Sequence, residues 1–188
     1  MVRVFFLVVF CGLFFGALCQ EKYVSQGLLK ATATISPSFM LNRSEQNIYL
    51  NGYLEYYVDD HLSLRGETYL FIDGTNSNSD YSHFIHQAVR TYFGAFLHAG
   101  KKNWDKYLGL QPGLTLMRPN NSVSSDLKAC PSFALHAGTT YYVWKYFHFF
   151  ADIAYVNSIY RGTSIGSMKT DEIIFSAGLG FQLMTKKN

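Results

Sequence analysis

The chain has 188 residues, enough for one domain or for one small domain with a targeting segment. Aromatic residues make up 17% of it and charged residues only 15%, below the roughly 25% that is usual in soluble proteins. This composition excludes a disordered chain, which has few aromatic residues and many charges. The net charge of +3, without a cluster of Lys and Arg, predicts no nucleic-acid partner.

Residues 1–19 have the features of a signal peptide. Arg3 provides a positive start, an apolar stretch follows, and small residues precede the end of the segment at Cys19. We expect cleavage between Cys19 and Gln20, which leaves residues 20–188 as a single exported domain.

Two other interpretations of residues 1–19 are less favoured. An uncleaved anchor is disfavoured because the apolar stretch is short for a helix that spans a bilayer. A lipid attached to Cys19 is disfavoured because Leu18 stands where a small residue is expected. The exported domain then keeps only Cys130, so an intrachain disulfide is excluded and stability must come from another source.

Beyond Gln20, apolar and polar residues alternate, which is typical of β-strands with one apolar face. Helical spacing fits none of these segments as well, and none approaches the roughly 18 apolar residues of a membrane-spanning helix. The alternation predicts eight strands: Gly27–Met40, Asn47–Val58, His61–Ile72, His86–His98, Tyr107–Met117, Ser132–Val143, Phe147–Tyr160 and Ile173–Met184.

The connections between these strands differ in length. Tight turns are predicted at residues 59–60, 99–105 and 144–146, and longer polar loops at residues 41–46, 73–83, 118–128 and 161–172. An even strand count, with long loops at one end and short turns at the other, is typical of outer-membrane barrels. We therefore predict an all-β fold: an eight-stranded antiparallel up-and-down transmembrane β-barrel preceded by a cleavable signal peptide.

The two faces of each strand indicate which side points inward. The apolar faces carry no charge, as a lipid-facing surface requires, since one Lys or Arg at the midplane costs about 2–4 kcal/mol. A soluble barrel such as a lipocalin would instead present many Lys and Glu residues to water. The polar faces hold few charges, chiefly Lys30, Glu55, Arg65, Glu67, Arg90 and Asp152.

Aromatic residues give a further indication of a membrane. Tyr and Trp concentrate where hydrocarbon meets water. They are frequent at the strand ends near the short turns, at Tyr56, Trp104, Tyr107, Tyr141, Trp144 and Tyr146.

Three segments carry a resemblance to a known group of proteins: Tyr107–Leu116, Ala137–Tyr142 and Phe175–Leu183. The chain resembles the small eight-stranded outer-membrane β-barrels of the OmpA/OmpX-like superfamily, particularly those of Bacteroidetes. The resemblance implies a bacterial outer-membrane location, with membrane lipid and the barrel-insertion machinery as partners. Such barrels usually end on an aromatic residue that this machinery recognises. Here the last strand ends at Met184 and residues 185–188 follow it, so Phe181 or Leu183 would serve instead.

The tight turn at residues 59–60 predicts the register of its hairpin. Glu55 then faces Arg65 on the inward side, and we expect an ion pair between them. Glu67, Arg90 and Lys30 are predicted to extend this network. A gate or narrow pore is one interpretation, and a plug of mutually satisfied buried charges is the favoured one.

Catalytic chemistry is not predicted. His136, Asp152 and Ser158 all face inward, but Ser158 lies six residues beyond Asp152, about 20 Å along a strand. A nucleophile must lie within hydrogen-bond reach of its base. His83 and His86 would point to opposite faces of a strand, so no metal site or cofactor is predicted either.

The predicted function is structural or interactive, with ligands or partners bound at the loops of residues 41–46, 73–83, 118–128 and 161–172, because binding residues concentrate on loops. One alternative is an envelope enzyme acting on lipid. Another is a soluble periplasmic barrel that binds a ligand. A general diffusion pore is disfavoured because eight strands leave little open bore.

Overall fold

The computed structural model describes residues 23–43, 45–76, 84–120, 127–163 and 166–186. The predicted signal peptide and its cleavage position at Cys19 and Gln20 lie outside these ranges, as do parts of all four predicted loops. Within them the secondary structure is entirely β-strand, turn and bend. None of the described residues belongs to a helix long and apolar enough to cross a bilayer.

The described residues form nine strands. Their bounds are β1 Leu28–Met40, β2 Glu45–Tyr57, β3 Leu62–Asn76, β4 Ile85–Lys101, β5 Trp104–Pro119, β6 Lys128–Trp144, β7 Phe147–Thr163, β8 Gly166–Lys169 and β9 Glu172–Met184. All pairs are antiparallel: consecutive strands pair from β1 to β7, β7 pairs with β8 and β9, and β9 pairs with β1. The sheet therefore closes on itself.

The short β8 is a continuation of β9 rather than an additional strand of the ring. Ile159 pairs with Lys169 and Val156 pairs with Glu172, so both segments face β7 in the same register. Thr170 and Asp171 interrupt the strand between them. The ring consequently has eight strands, and the prediction of a closed, antiparallel, up-and-down barrel is confirmed.

Several strand ends differ from the prediction. Residues 161–172, predicted as a loop, are mostly strand, since β7 runs to Thr163 and β8 begins at Gly166. The predicted turn at residues 99–105 shrinks to Lys102–Asn103, where Lys102 takes a positive φ of 56°. These polar residues were assigned to connections because polarity usually marks loops. In a barrel, polar residues also continue a strand beyond its apolar band.

Closure between the first and last strands combines backbone and side-chain contacts. β1 and β9 pair over Leu28–Thr32 and again over Ser38–Met40. Between these stretches, the Thr34 hydroxyl donates to the carbonyl of Ala177 at 2.7 Å. The hydroxyls of Ser36 and Ser176 also bond to each other at 2.7 Å. Inward-facing hydroxyls thus help to hold the seam of the barrel.

Burial alternates along the strands, with polar side chains inside and apolar side chains outside. Lys30 and Asn51 are fully buried, whereas Ile35 is 63% exposed and Leu108 65% exposed. A soluble barrel would have the opposite arrangement. The apolar outer face therefore suits hydrocarbon as its surroundings, and the polar residues pack into a narrow interior.

Inward-facing glycines make room for aromatic side chains in this interior. A Cβ atom at Gly109 would lie 2.2 Å from Cε1 of Phe96. A Cβ atom at Gly138 would lie 2.4 Å from the hydroxyl oxygen of Tyr107 and 2.7 Å from the carbonyl oxygen of Ala151. The second contact is with backbone, which cannot swing aside as a side chain can.

We predict that Gly138→Ala destabilises the barrel by about 1–3 kcal/mol, the usual effect of overpacking a filled interior. Gly66→Ala is the control, because a Cβ atom there meets only Cδ2 of Phe93, at 3.7 Å. Urea unfolding of both refolded variants, followed by gel mobility without boiling, measures the difference. Equal stability of the two variants would contradict the packing argument.

Candidate functional site: the charged interior

A cluster of ionisable side chains occupies the interior from the short-turn end to the middle of the barrel. All of its members are buried. They come from seven neighbouring strands, β1 to β7, and we refer to them as the central charge cluster: Lys30, Glu55, Arg65, Glu67, His98, Asp105, His136 and Asp152.

Glu55 lies at the centre of these contacts. Its Oε2 atom is 2.8 Å from Nζ of Lys30 and 3.1 Å from Nη2 of Arg65. Its Oε1 atom accepts a hydrogen bond of 2.5 Å from the hydroxyl of Ser63. The structure therefore contains the Glu55–Arg65 pair that the hairpin register predicts, and Lys30 joins it. Glu67 also belongs to the cluster, through the histidine described below.

Aromatic rings surround the Arg65 guanidinium. Its Cζ atom lies 3.9 Å from the ring centre of Phe96, 4.1 Å from that of Tyr53 and 4.7 Å from that of Tyr107. A cation over an aromatic face is stabilised most where water is excluded. Tyr107 was expected among the aromatic residues at the interface of hydrocarbon and water. It points inward, because it occupies one of the alternate positions of β5 that face the interior.

Each of the two histidines in the cluster lies between carboxylates. His98 Nδ1 is 2.8 Å from Oδ2 of Asp105, and its Nε2 is 3.2 Å from Oε1 of Glu55. His136 Nδ1 is 2.9 Å from Oδ1 of Asp152, and its Nε2 is 3.7 Å from Oε2 of Glu67. Ionised carboxylates only accept hydrogen bonds, so the Nδ1 atom of each ring donates to its aspartate, His98 to Asp105 and His136 to Asp152.

With both histidine rings protonated, the charges of the central charge cluster sum to zero. Four carboxylates, Glu55, Glu67, Asp105 and Asp152, face four cations, Lys30, Arg65, His98 and His136. Buried charges need such compensation because their removal from water costs several kcal/mol per ion.

Ser63, His98 and Asp105 have the spacing of a catalytic triad. The Ser63 hydroxyl oxygen is 2.8 Å from His98 Nε2, and His98 Nδ1 is 2.8 Å from Asp105. However, the Ser63 hydroxyl proton is directed to Glu55, and Ser63 is fully buried. A base must remove the proton of its nucleophile and a substrate must reach it, and this arrangement meets neither condition.

Arg90 does not join the central charge cluster, contrary to the sequence prediction. Its Nη2 atom is 2.6 Å from Oε1 of Glu172 on β9. Ser38 and Asn47 also donate to this carboxylate, at 2.8 and 3.2 Å. Arg90 pairs with Tyr69 on β3, one inward-facing position beyond Glu67 toward the long-loop end, and its guanidinium contacts Glu172 across the interior instead of Glu67. A second, smaller charge cluster therefore occupies the long-loop end.

Three of these residues were not predicted to belong to the interior. Asp105 and Glu172 were assigned to connections, and His98 to the end of a strand. Each occupies an inward-facing position in the alternation of its strand. On β9, for example, Glu172, Ile174 and Ser176 are all buried. Extending the alternation through polar residues would have found them.

The other residues considered for chemistry do not form a compact site. His136 and Asp152 are hydrogen-bonded, but Ser158 bonds instead to Thr170, at 2.6 Å between the two hydroxyl oxygens. His86 is exposed at the start of β4, and His83 lies outside the described residues. Among the residues that are described, no three of the types His, Cys, Asp and Glu are arranged to hold a metal ion.

The segment that precedes β1 covers the interior at the short-turn end. Val24 is 3% exposed and packs with Leu28, Tyr57 and Tyr142. The ring of Tyr23 stacks on Tyr142, with centroids 5.4 Å apart and planes at 4°. This segment adds an apolar layer between the central charge cluster and the mouth of the barrel.

Comparisons with known proteins show the fold. The outer membrane protein OprG from Pseudomonas aeruginosa matches with a TM-score of 0.60 and 12% identity, over 86% of this chain and 98% of OprG. The N-terminal β-barrel domain of OprF from the same organism matches with a TM-score of 0.56 and 16% identity, over 85% and 99%.

Neisserial surface protein A matches with a TM-score of 0.57 and 11% identity, over 84% of this chain and 96% of that protein. No family model and no curated protein matches the sequence. The chain therefore has the barrel fold of these proteins, and their low identity indicates nothing finer.

We predict that Glu55→Gln destabilises the barrel by about 3–5 kcal/mol, because it leaves Lys30 and Arg65 without their closest carboxylate. Adding Lys30→Met to this variant should recover part of the loss, because the remaining charges are then better balanced. Lys106→Gln, at an exposed cation, should leave the free energy of unfolding nearly unchanged.

Urea unfolding in detergent gives this comparison for five proteins: the wild type, the single variants Glu55→Gln and Lys30→Met, the double variant, and Lys106→Gln. If the double variant is as unstable as the sum of the two single changes, Lys30 and Glu55 are not energetically coupled.

Proposed function

We propose that this protein is an integral barrel of the bacterial outer membrane with a closed interior, and that its role is structural or interactive. The observation that carries the location is the outer face: Ile35, Leu97, Leu108 and Trp144 are each more than 60% exposed. Water would make such a face unfavourable, and hydrocarbon would not. The predicted signal peptide and the shared fold of known outer-membrane proteins support the same location.

The closed interior rests on the packing of the lumen. Side chains from seven strands meet in the central charge cluster, and aromatic rings pack against Arg65. The Arg90–Glu172 cluster occupies the other half, and Tyr23 and Val24 cover one mouth. An eight-stranded barrel has room for little beyond its own side chains. We therefore favour a plug over a gate.

The interactive role is assigned to the end that carries the long connections. At the β1–β2 connection, an open recess of about 510 Å³ is lined by Phe39, Met40, Leu41, Asn42, Arg43, Glu45 and Gln46. It combines apolar, amide and charged side chains on a rigid scaffold, as ligand sites commonly do. A ligand or partner outside the cell is its proposed occupant.

The two alternatives have less support. An enzyme that acts on lipid needs a nucleophile that its substrate can reach, and Ser63 is fully buried. A soluble barrel that binds a ligand would have its apolar face inside, which is the reverse of the observed burial.

The location is tested by extracting membranes with carbonate or urea and by comparing boiled with unboiled samples on gels. We expect the protein to stay in the outer-membrane pellet and to migrate faster when it is not boiled. Release into the soluble fraction, with no heat-dependent shift, would contradict the proposal.

The closed interior is tested by conductance in planar bilayers. We expect the wild-type protein to give no steady current. Glu55→Ala should also give none, because Phe96, Tyr53 and Tyr107 still fill the cross-section. Steady opening by Glu55→Ala, with the Gly66→Ala control silent, would favour a gate instead.

A further inference from the structure

The barrel wall splits between β6 and β7 at the long-loop end. These strands pair from Trp144–Phe147 as far as Ser132–Ser158, and the pairing stops there. Beyond that point, Lys128–Pro131 of β6 pair only with β5, while Ile159–Thr163 of β7 pair only with β8. Pro131, which has no N–H to donate, stands where the pairing ends.

A recess of about 300 Å³ lies in this split. It is lined by Lys128, Ala129, Cys130, Pro131, Asn157, Ile159 and Arg161. Within the described residues, both walls of the recess are therefore strand edges that have no strand partner on the side of the split. Two of its side chains, Lys128 and Arg161, are cations.

A third cation stands beside the recess on the outer face. Lys169 of β8 pairs with Ile159, and Arg161 pairs with Ser167, so Arg161 and Lys169 are diagonal neighbours on one exposed face. Among the residues that the structure describes, no carboxylate lies within ion-pair distance of either. Asp171, the described acid nearest in sequence, accepts a hydrogen bond of 2.8 Å from Asn157.

The height of the recess on the barrel suits a lipid headgroup. On the same outer face, nearer the middle of the barrel, are the exposed side chains of Leu135 and Ile153, followed by Phe133 and the half-buried Tyr155. Tyrosine marks the boundary between hydrocarbon and water. Arg161 and Lys169 lie just beyond this boundary, where a headgroup would lie above its acyl chains.

We propose that this recess binds the phosphate of an anionic lipid headgroup. This inference rests on the proposed location in a membrane. The Arg161 guanidinium presents its forked N–H groups to the phosphate oxygens, and Lys169 and Lys128 add positive charge beside it. The acyl chains of the lipid then lie along Leu135 and Ile153, which a free phosphate ion could not use.

The experiment measures thermal unfolding of the detergent-solubilised full chain, with the loss of the fast gel band as the readout. Three probes are titrated: dioleoylphosphatidic acid, dioleoylphosphatidylcholine and sodium phosphate. A ligand that binds only the folded protein raises the unfolding temperature according to its affinity. We expect phosphatidic acid to raise it and the other two probes to leave it unchanged.

The variant Arg161→Gln/Lys169→Gln should weaken the effect of phosphatidic acid at least tenfold in apparent affinity. Lys101→Gln/Lys106→Gln is the matched control, because it removes two exposed positive charges from the short-turn end. Should the first variant fail to refold, Lys169→Gln alone replaces it, with a weakening of at least threefold expected.

Three outcomes would overturn the proposal. The first is no stabilisation of the wild-type protein by phosphatidic acid. The second is an equal effect of sodium phosphate, which would identify a site for free anions. The third is equal weakening by the control variant, which would indicate attraction by overall charge. The fast gel band shows in each sample that the barrel is folded. A missing or non-specific effect of phosphatidic acid on such a sample therefore counts against lipid binding at the recess, and not against the proposed membrane location.

Discussion

The carboxylate of Glu55 joins four strands, and the arrangement of the interior depends on it. It accepts from Lys30 on β1 and from Ser63 and Arg65 on β3, and it lies beside His98 on β4. Each of these cations contacts either another carboxylate or an aromatic ring. The network therefore spreads around the barrel wall from a single acidic side chain.

Closure of the sheet creates both the need for this network and the means to form it. A closed barrel leaves no unpaired edge along most of its length and lets every second side chain point into a narrow space. Polar side chains are stable in such a space only when their partners are also present. The apolar side chains are then left on the outside, where lipid rather than water is the favourable solvent.

The wall is less regular at the long-loop end than elsewhere. There β6 and β7 separate, and Thr170 and Asp171 interrupt the last strand of the ring. Unpaired strand edges are costly in hydrocarbon, so irregular backbone is expected only where polar groups can reach it. Lys128, Arg161 and Lys169 lie beside this irregular part of the wall, on β6, β7 and β8. Charged side chains therefore surround the backbone where the regular pairing stops.

Much of the fold follows from the sequence alone, because alternation specifies both strands and faces. The hairpin at residues 59–60 also determines a register, which is why the contact between Glu55 and Arg65 could be anticipated. Asp105, His98 and Glu172 were not anticipated, since polar residues at strand ends resemble loops. Contacts across the interior between strands far apart in the chain, such as Arg90 on β4 with Glu172 on β9, depend on the geometry of the whole barrel, which no local pattern contains.

The most direct test of the account measures which side chains of β7 face lipid. Nitroxide labels at each position of residues 149–154, in a protein without other cysteines and reconstituted in vesicles, report their accessibility to oxygen. With lipid on the outer face, we expect high oxygen accessibility at positions 149, 151 and 153 and low accessibility at 150, 152 and 154. High accessibility to a water-soluble relaxation agent at 149, 151 and 153 would contradict it.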